Sequence, residues 1–152
     1  MKTASYSELI SPCGMNCAIC SGYLAMKNCV KGKGIRIPYC VGCRPRKKNC
    51  AFLKKHCSKL SNGGVTFCFE CASFPCDRLR SLDKRYKSRY RMSMIENLNF
   101  IKDNGVGKFL DSQKNSWKCS SCTELVCCHN GICFNCNLEK LRNKKQKYRW
   151  DE

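Results

Sequence analysis

Acidic residues, histidines and long apolar runs are all scarce in this chain of 152 residues, which has 11 Asp and Glu and two His. The acids are scattered, and several stand where a helix would begin, so that helix capping explains them. No paired-carboxylate catalytic site is therefore indicated. A membrane-spanning helix needs about 18 consecutive apolar residues, and no such run occurs. We expect no membrane partner.

Signatures of nucleotide binding and of secretion are also missing. The sequence contains neither a P-loop nor a dinucleotide-binding glycine motif. Its first residues lack the apolar centre of a secretory signal, so we expect a cytoplasmic protein. Both histidines lie inside cysteine-rich blocks, and a separate base that could activate a nucleophilic cysteine is not evident. Enzymatic activity is not indicated.

Cysteine is the residue present in excess, with 17 copies. A secreted disulfide framework normally combines a signal peptide with an even number of cysteines, and neither condition holds. A Cys-x-x-Cys spacing lets two thiolates from one tight turn reach the same metal ion. This spacing occurs five times, at Cys17/Cys20, Cys40/Cys43, Cys68/Cys71, Cys119/Cys122 and Cys133/Cys136. The chain is therefore predicted to bind metal.

Zinc at about three sites is the predicted cofactor, with an iron–sulfur cluster as the alternative, because four thiolates hold either. The Cys13-x3-Cys17-x2-Cys20 triplet is where a cluster would lie. His129 stands between two of these Cys-x-x-Cys turns, which we call knuckles, and could replace a thiolate as a metal ligand. The spacing does not determine which ligands share a site. The predicted ligands are Cys13, Cys17, Cys20, Cys40, Cys43, Cys50, Cys57, Cys68, Cys71, Cys76, Cys119, Cys122, Cys127, His129, Cys133 and Cys136.

The fold class predicted from these patterns is a small, metal-stapled α+β protein. We expect an irregular Cys-rich domain over residues 1–76 and a basic helical connector over 77–116. A zinc ribbon over 117–137 and a basic tail over 138–152 complete the chain. The tail is predicted to be either a frayed helix or disordered. Because large aliphatic residues are sparse between the cysteines, metal binding should supply much of the folding free energy.

The connector has a helical pattern. Leu79, Leu82, Tyr86 and Tyr90 recur at spacings of three and four residues, which predicts a helix with one apolar stripe. The motif Ser93-x-x-Glu96 is a capping box that predicts a second helix, and Asn104-Gly105 predicts its end. Short helices are also predicted over Lys108–Gln113 and near Phe52–Leu60.

Positive charge is the strongest indication of function. The formal net charge is +18, and the first connector helix carries charge of almost one sign, whereas a solvated helix face usually mixes signs. The arginine guanidinium binds phosphate through two parallel N–H donors. We therefore predict binding to RNA or a ribonucleoprotein, for example at a ribosomal surface. The predicted contacts are Arg78, Lys84, Arg85, Lys87, Arg89, Arg91, Lys144 and Lys145. The alternatives are an iron–sulfur electron-transfer or redox-sensing protein and an adaptor for an acidic protein partner.

Several of these motifs together resemble a known family. The segments SPCGMNCAIC, YCVGC and FCFECASFPC, followed by the DRLRSLDKRYKSRY helix, are similar to the Cys-rich bacterial and archaeal family called domain of unknown function 3795. The block WKCSSC…CCHNGICFNC is similar to a ribbon appended to its longer members, so the resemblance runs from about Ser11 to Cys136. It implies metal binding and a compact, Cys-stapled fold. It implies no activity, because the family is functionally uncharacterised.

Overall fold

Helices dominate the computed structural model, which describes residues 6–44, 57–58 and 66–150. The five α-helices that we number in this part of the chain are α1 (Ser21–Lys27), α2 (Asp77–Tyr90), α3 (Met94–Asn104), α4 (Val106–Ser116) and α5 (Leu138–Asn143). Short 3-10 helices cover Tyr6–Leu9, Cys17–Ile19, Val30–Lys33 and Cys68–Glu70. The predicted helix near Phe52–Leu60 lies almost wholly outside the described residues.

The strand component of the predicted α+β class is not confirmed. Within the described ranges, β-pairing consists of two isolated antiparallel bridges, Ile10 with Asn16 and Lys118 with Leu125. The segments between cysteines are too short and too rich in turns to extend into ladders. The fold is therefore small and helix-rich, with Cys-rich turns on either side of the helices.

The junction of α2 and α3 confirms the predicted helix and its Ser93 cap. Arg91 ends α2 in the left-handed conformation at a φ of 54°, and Ser93 then caps α3 by accepting a 3.0 Å hydrogen bond from the backbone N–H of Glu96. The Ser93 hydroxyl in turn donates to Asp83 of α2 at 2.6 Å, and the Ile95 N–H donates to the same carboxylate oxygen at 3.1 Å. A buried acid of one helix thus fixes the start of the next.

The third connector helix is longer than predicted. Gly105, at a φ of 90°, ends α3 as the sequence indicated and immediately begins α4, which continues to Ser116. Phe109 of α4 is buried with Ile101 of α3 and Ile10 of the N-terminal turn. The three connector helices therefore form a compact unit against the first residues of the described chain.

Two larger apolar clusters bring the two ends of the chain together. One joins the N-terminal turns to α2 and α3 through Leu9, Ile19, Leu79, Leu82 and Leu98. The other joins α1 and the segment after it to the C-terminal region, and contains Leu24, Ile35, Ile37, Ile132, Phe134 and Leu141. A backbone hydrogen bond of 2.8 Å from the Cys128 N–H to the Ile19 carbonyl ties the same two regions.

In its described part, residues 138–150, the tail packs against the rest of the protein and is neither frayed nor disordered as predicted. After α5, Lys147 donates to the carbonyls of Leu141 and Lys144 and so caps the helix. The indole N–H of Trp150 donates to the Cys128 carbonyl at 2.8 Å, and its ring lies against Gly131. The basic tail is therefore folded back onto the Cys-rich region. No helix in the described ranges has the length and apolar character needed to cross a membrane.

Candidate metal centres and basic surface

Four cysteines of the predicted ribbon converge on one point. The Sγ atoms of Cys119, Cys122, Cys133 and Cys136 all lie within 4.8 Å of one another, and we call this group the ribbon centre. The Cys119–Cys136 and Cys122–Cys133 pairs are 3.6 and 3.4 Å apart. Tetrahedral zinc with Zn–S bonds of about 2.3 Å places its sulfurs roughly 3.8 Å apart. The geometry of the ribbon centre therefore fits one metal ion.

Tight turns at both knuckles create the convergence. The Cys119 N–H donates to the Glu124 carbonyl at 2.7 Å, which closes the first knuckle next to the Lys118–Leu125 bridge. The Ser121 N–H donates to the Cys119 sulfur at 3.4 Å. In the second knuckle the Asn137 N–H donates to the Cys133 carbonyl at 3.1 Å. Each pair of thiols is thus held on one side of its own turn.

The thiols of the ribbon centre do not share one acidity. Backbone N–H donors at Ser121 and Cys122 lower the pKa of Cys119 to about 6, whereas hydrogen bonds with Cys119 and other neighbouring thiols raise the pKa of Cys136 to about 12. A hydrogen bond with Asn135 lowers the pKa of Cys122, and burial raises the pKa of Cys133. Four adjacent negative charges need a cation, so some thiols keep their protons until a metal ion binds.

Cys127 and His129, both predicted as ligands, do not join the ribbon centre. His129 is buried, and its Nδ1 accepts a 3.2 Å hydrogen bond from the Ser21 N–H. Burial lowers the pKa of His129 to about 4, so the ring is neutral. The Cys127 sulfur is 3.0 Å from the Ser21 hydroxyl. The hydrogen bond from Cys128 to Ile19 draws this turn towards α1 and away from the second knuckle, which explains the separation.

Five N-terminal candidates line a second site. Cys13, Cys17, Cys20, Cys40 and Cys43 surround one pocket of about 180 Å³. The hydrogen bond with Cys43 raises the pKa of Cys17, and burial raises the pKa of Cys20 to about 12. Of the remaining candidates, Cys57, Cys68, Cys71 and Cys76 are half-buried. Cys50 lies outside the described residues.

The basic residues of α2 are placed on the surface. The side chains that the sequence predicted to contact nucleic acid are exposed on α2 and at its end, namely Arg78, Lys84, Arg85, Lys87, Arg89 and Arg91. Arg80, on the same helix, is exposed as well. In the tail, Lys145 is exposed and Lys144 is half-buried. The acid inside this run, Asp83, is buried and lies 3.6 Å from Lys87. The exposed charge from Arg78 to Arg91 therefore has one sign, although Asp77, which begins α2, is exposed as well.

A cleft between the end of α2 and the tail adds residues that were not predicted. Arg91 lies 4.2 Å from the centroid of the Trp150 ring. The cleft has a volume of about 440 Å³ and is lined by Ser88, Arg89, Arg91, Gln146, Tyr148, Arg149 and Trp150. Two aromatic residues at the end of a basic tail are the signal in the sequence, but only the docking of Trp150 shows that they meet α2. We call this feature the arginine–aromatic cleft.

Comparison with known proteins finds a family model that matches the N-terminal part of the chain. Residues 9–81 match the model of the family described as Protein of unknown function (DUF3795). This part of the chain is similar to that family. The match covers the N-terminal Cys-rich turns and the beginning of α2, and it ends before the ribbon centre. Searches of curated proteins and of solved structures found no match.

Proposed function

We propose that this protein is a zinc-binding module that binds RNA, free or in a ribonucleoprotein, through the basic face of α2 and the arginine–aromatic cleft. The observation that carries the proposal is the exposed charge of one sign between Arg78 and Arg91, on α2 and at its end. Zinc at the ribbon centre is supported by the spacing of its four sulfurs. A closed four-thiolate site has no open coordination position, so its role is structural.

The charge of α2 faces solvent because the helix uses its other side for packing. Leu79 and Leu82 are buried in the core, while the carboxylate of Asp83 is engaged in capping α3. In the described part of the chain, the ion pair that the basic side chains of α2 form is the one between Lys87 and Asp83. These side chains would neutralise RNA phosphates and so release the cations condensed on the RNA.

The cleft gives this surface a feature that favours RNA over a uniform polyanion. Arg89, Arg91 and Arg149 supply donors for phosphate, and Tyr148 is about half exposed, at 48%. Unpaired bases stack on aromatic rings and on guanidinium planes. An RNA with a single-stranded nucleotide next to a helical segment therefore fits this surface. The nucleotide would enter the cleft, and the helical segment would lie against the adjoining basic helix.

The test compares two charge-matched double variants. Arg85→Ala/Arg89→Ala removes two exposed charges from α2, and Lys102→Ala/Lys108→Ala removes two exposed charges from α3 and α4. For the α2 variant we expect affinity for a structured RNA with a single-stranded end to fall by about tenfold or more. The slope of log K against log salt should become shallower by about two. Zinc content should not change.

Arg91 is left intact in this test because it ends α2 and stacks on Trp150. Equal losses in the two double variants, or unchanged affinity in the α2 variant, would contradict the proposal. So would equally tight binding to heparin, because the cleft would then contribute nothing specific to nucleic acid. Anisotropy titrations at several salt concentrations distinguish these results.

A further inference from the structure

Two knuckles near the N-terminal end of the described chain face each other across the pocket that the five N-terminal cysteines line. One is Cys17-x-x-Cys20 and the other is Cys40-x-x-Cys43, and all four cysteines line the pocket of about 180 Å³. The segment between them, 19 residues long, falls within the roughly 15–20 residues usual between the two halves of a four-cysteine zinc site. Side chains of α2, Leu82 and Tyr86, line another part of the pocket.

Gly22 makes the approach of the two knuckles possible. The Cys40 N–H donates to the Gly22 carbonyl at 3.1 Å. A Cβ atom on Gly22 would lie 2.9 Å from the Cβ of Cys40, a separation that a larger residue could not accept. The chain after α1 can therefore return directly beside Cys20, which is two residues before Gly22.

The second of these knuckles has the local geometry of the ribbon centre. The Gly42 N–H donates to the Cys40 sulfur at 3.4 Å, as the Ser121 N–H does to the Cys119 sulfur at 3.4 Å. Gly42 has a φ of 112°, a conformation that favours glycine. Across the pocket, the Cys43 N–H approaches the Cys17 sulfur at 3.5 Å. Backbone donors aimed at sulfur favour the thiolate, which is the form that binds metal.

We propose that Cys17, Cys20, Cys40 and Cys43 form a second four-thiolate centre for a thiophilic metal, either zinc or the iron of an iron–sulfur cluster. This second centre is separate from the ribbon centre, and its assignment does not rest on RNA binding. Its thiols are more widely spread, since in the described chain only the ribbon centre has three or more ligand atoms within 4.8 Å of one another. Zinc would draw the thiols inward, whereas a cluster would occupy the space between them.

The first experiment measures zinc, iron and acid-labile sulfide in the full chain purified without oxygen. The variant Cys17→Ser/Cys43→Ser is compared with Cys29→Ser, whose cysteine is exposed and outside the pocket. If the second centre holds zinc, we expect the double variant to lose about one zinc per chain. If it holds a cluster, the variant should lose the iron, the sulfide and the visible absorbance of the wild type. Metal content equal to that of Cys29→Ser would overturn the proposal.

A second measurement needs no variant and does not depend on the folding of one. The wild-type chain is alkylated before and after metal removal, and the modified cysteines are identified by peptide mass mapping. Bound metal should protect Cys17, Cys20, Cys40 and Cys43 about tenfold or more relative to Cys29. Alkylation of these four at the rate of Cys29 in the metal-loaded protein would contradict the assignment. Protection of Cys13 in place of Cys40 would contradict the ligand set.

Discussion

Gly131 is the residue on which the docked tail rests. Its φ of 72° is left-handed, and a Cβ atom at this position would collide with the Trp150 ring. We predict that Gly131→Ala destabilises the fold by about 1–3 kcal/mol, because backbone strain is added and the indole hydrogen bond to Cys128 is lost. Thermal unfolding and tryptophan fluorescence measure the two effects.

Gly107 provides the matched control for this substitution. It lies in the first turns of α4, and a Cβ atom there would meet nothing within 4 Å. Gly107→Ala should leave the stability unchanged or raise it slightly, since alanine is the better helix former. If both alanine variants had the same stability, Trp150 docking would not depend on Gly131.

The surroundings of His129 depend on tertiary contacts that its neighbours in sequence do not indicate. Its position between cysteines suggests a zinc ligand, which is chemically sound for a histidine near two knuckles. In the fold its ring packs edge-on against Tyr90 and Tyr148, at centroid distances of 4.7 and 5.3 Å. These partners are distant from the ribbon in sequence or lie in the tail, and no spacing rule connects them to His129.

At the scale of the helices, the contact between α2 and α3 depends on one buried acid. Asp83 is 6% exposed and accepts from both the Ser93 hydroxyl and the Ile95 N–H. We predict that Asp83→Ala destabilises the protein by about 2–3 kcal/mol, because the buried Ser93 hydroxyl and the partly buried Ile95 N–H lose their acceptor. Asp103→Ala, at an exposed position near the end of α3, is the control and should change the free energy of unfolding by less than about 0.5 kcal/mol. Chemical denaturation of both variants measures the difference, and an Asp83 variant as stable as the control would show that the acid does not hold the two helices together.

Features that depend on local sequence were predictable at this scale. The apolar stripe of α2, the Ser93 cap and the Gly105 stop all follow from residues within one or two turns of each other. The two Cys-x-x-Cys turns of the ribbon centre were predictable from the sequence. The spacing did not determine that these two turns alone would form one group. The order of the tail was not predictable, because Trp150 is held by Gly131 and Cys128 through tertiary contacts.

At the scale of the whole molecule, the ribbon centre and the apolar packing belong to the same fold. The ribbon centre lies between Trp117, at the end of α4, and α5, which packs against Ile35 and Ile37 through Leu141. Trp117 and Trp150 have ring centroids 6.3 Å apart. Loss of the metal would therefore release both the end of α4 and the docked tail. The arginine–aromatic cleft would open with them.

Protons and metal ions compete for the same thiolates, so the metal affinity of the ribbon centre should depend on pH. Cys119, with a pKa of about 6, is ionised at neutral pH, whereas Cys136, with a pKa of about 12, and Cys133, whose pKa is also raised, keep their protons in the metal-free protein. Binding a metal ion must displace these protons, so lowering the pH favours the metal-free form. We predict that zinc affinity at the ribbon centre rises with pH, by about tenfold per pH unit for each proton displaced, or roughly 100-fold for two.

Calorimetry in buffers of different ionisation enthalpy counts the protons released per zinc. It should be carried out on Cys17→Ser/Cys43→Ser, so that the proposed second centre does not contribute. As zinc leaves on acidification, tryptophan emission should shift to longer wavelength, because Trp117 and Trp150 then become exposed. An affinity that does not change with pH around neutrality, or metal loss with no change in fluorescence, would separate the metal from the docking of the tail. The contacts of Trp150 with Arg91 and with the Cys128 carbonyl would then hold the tail without the metal.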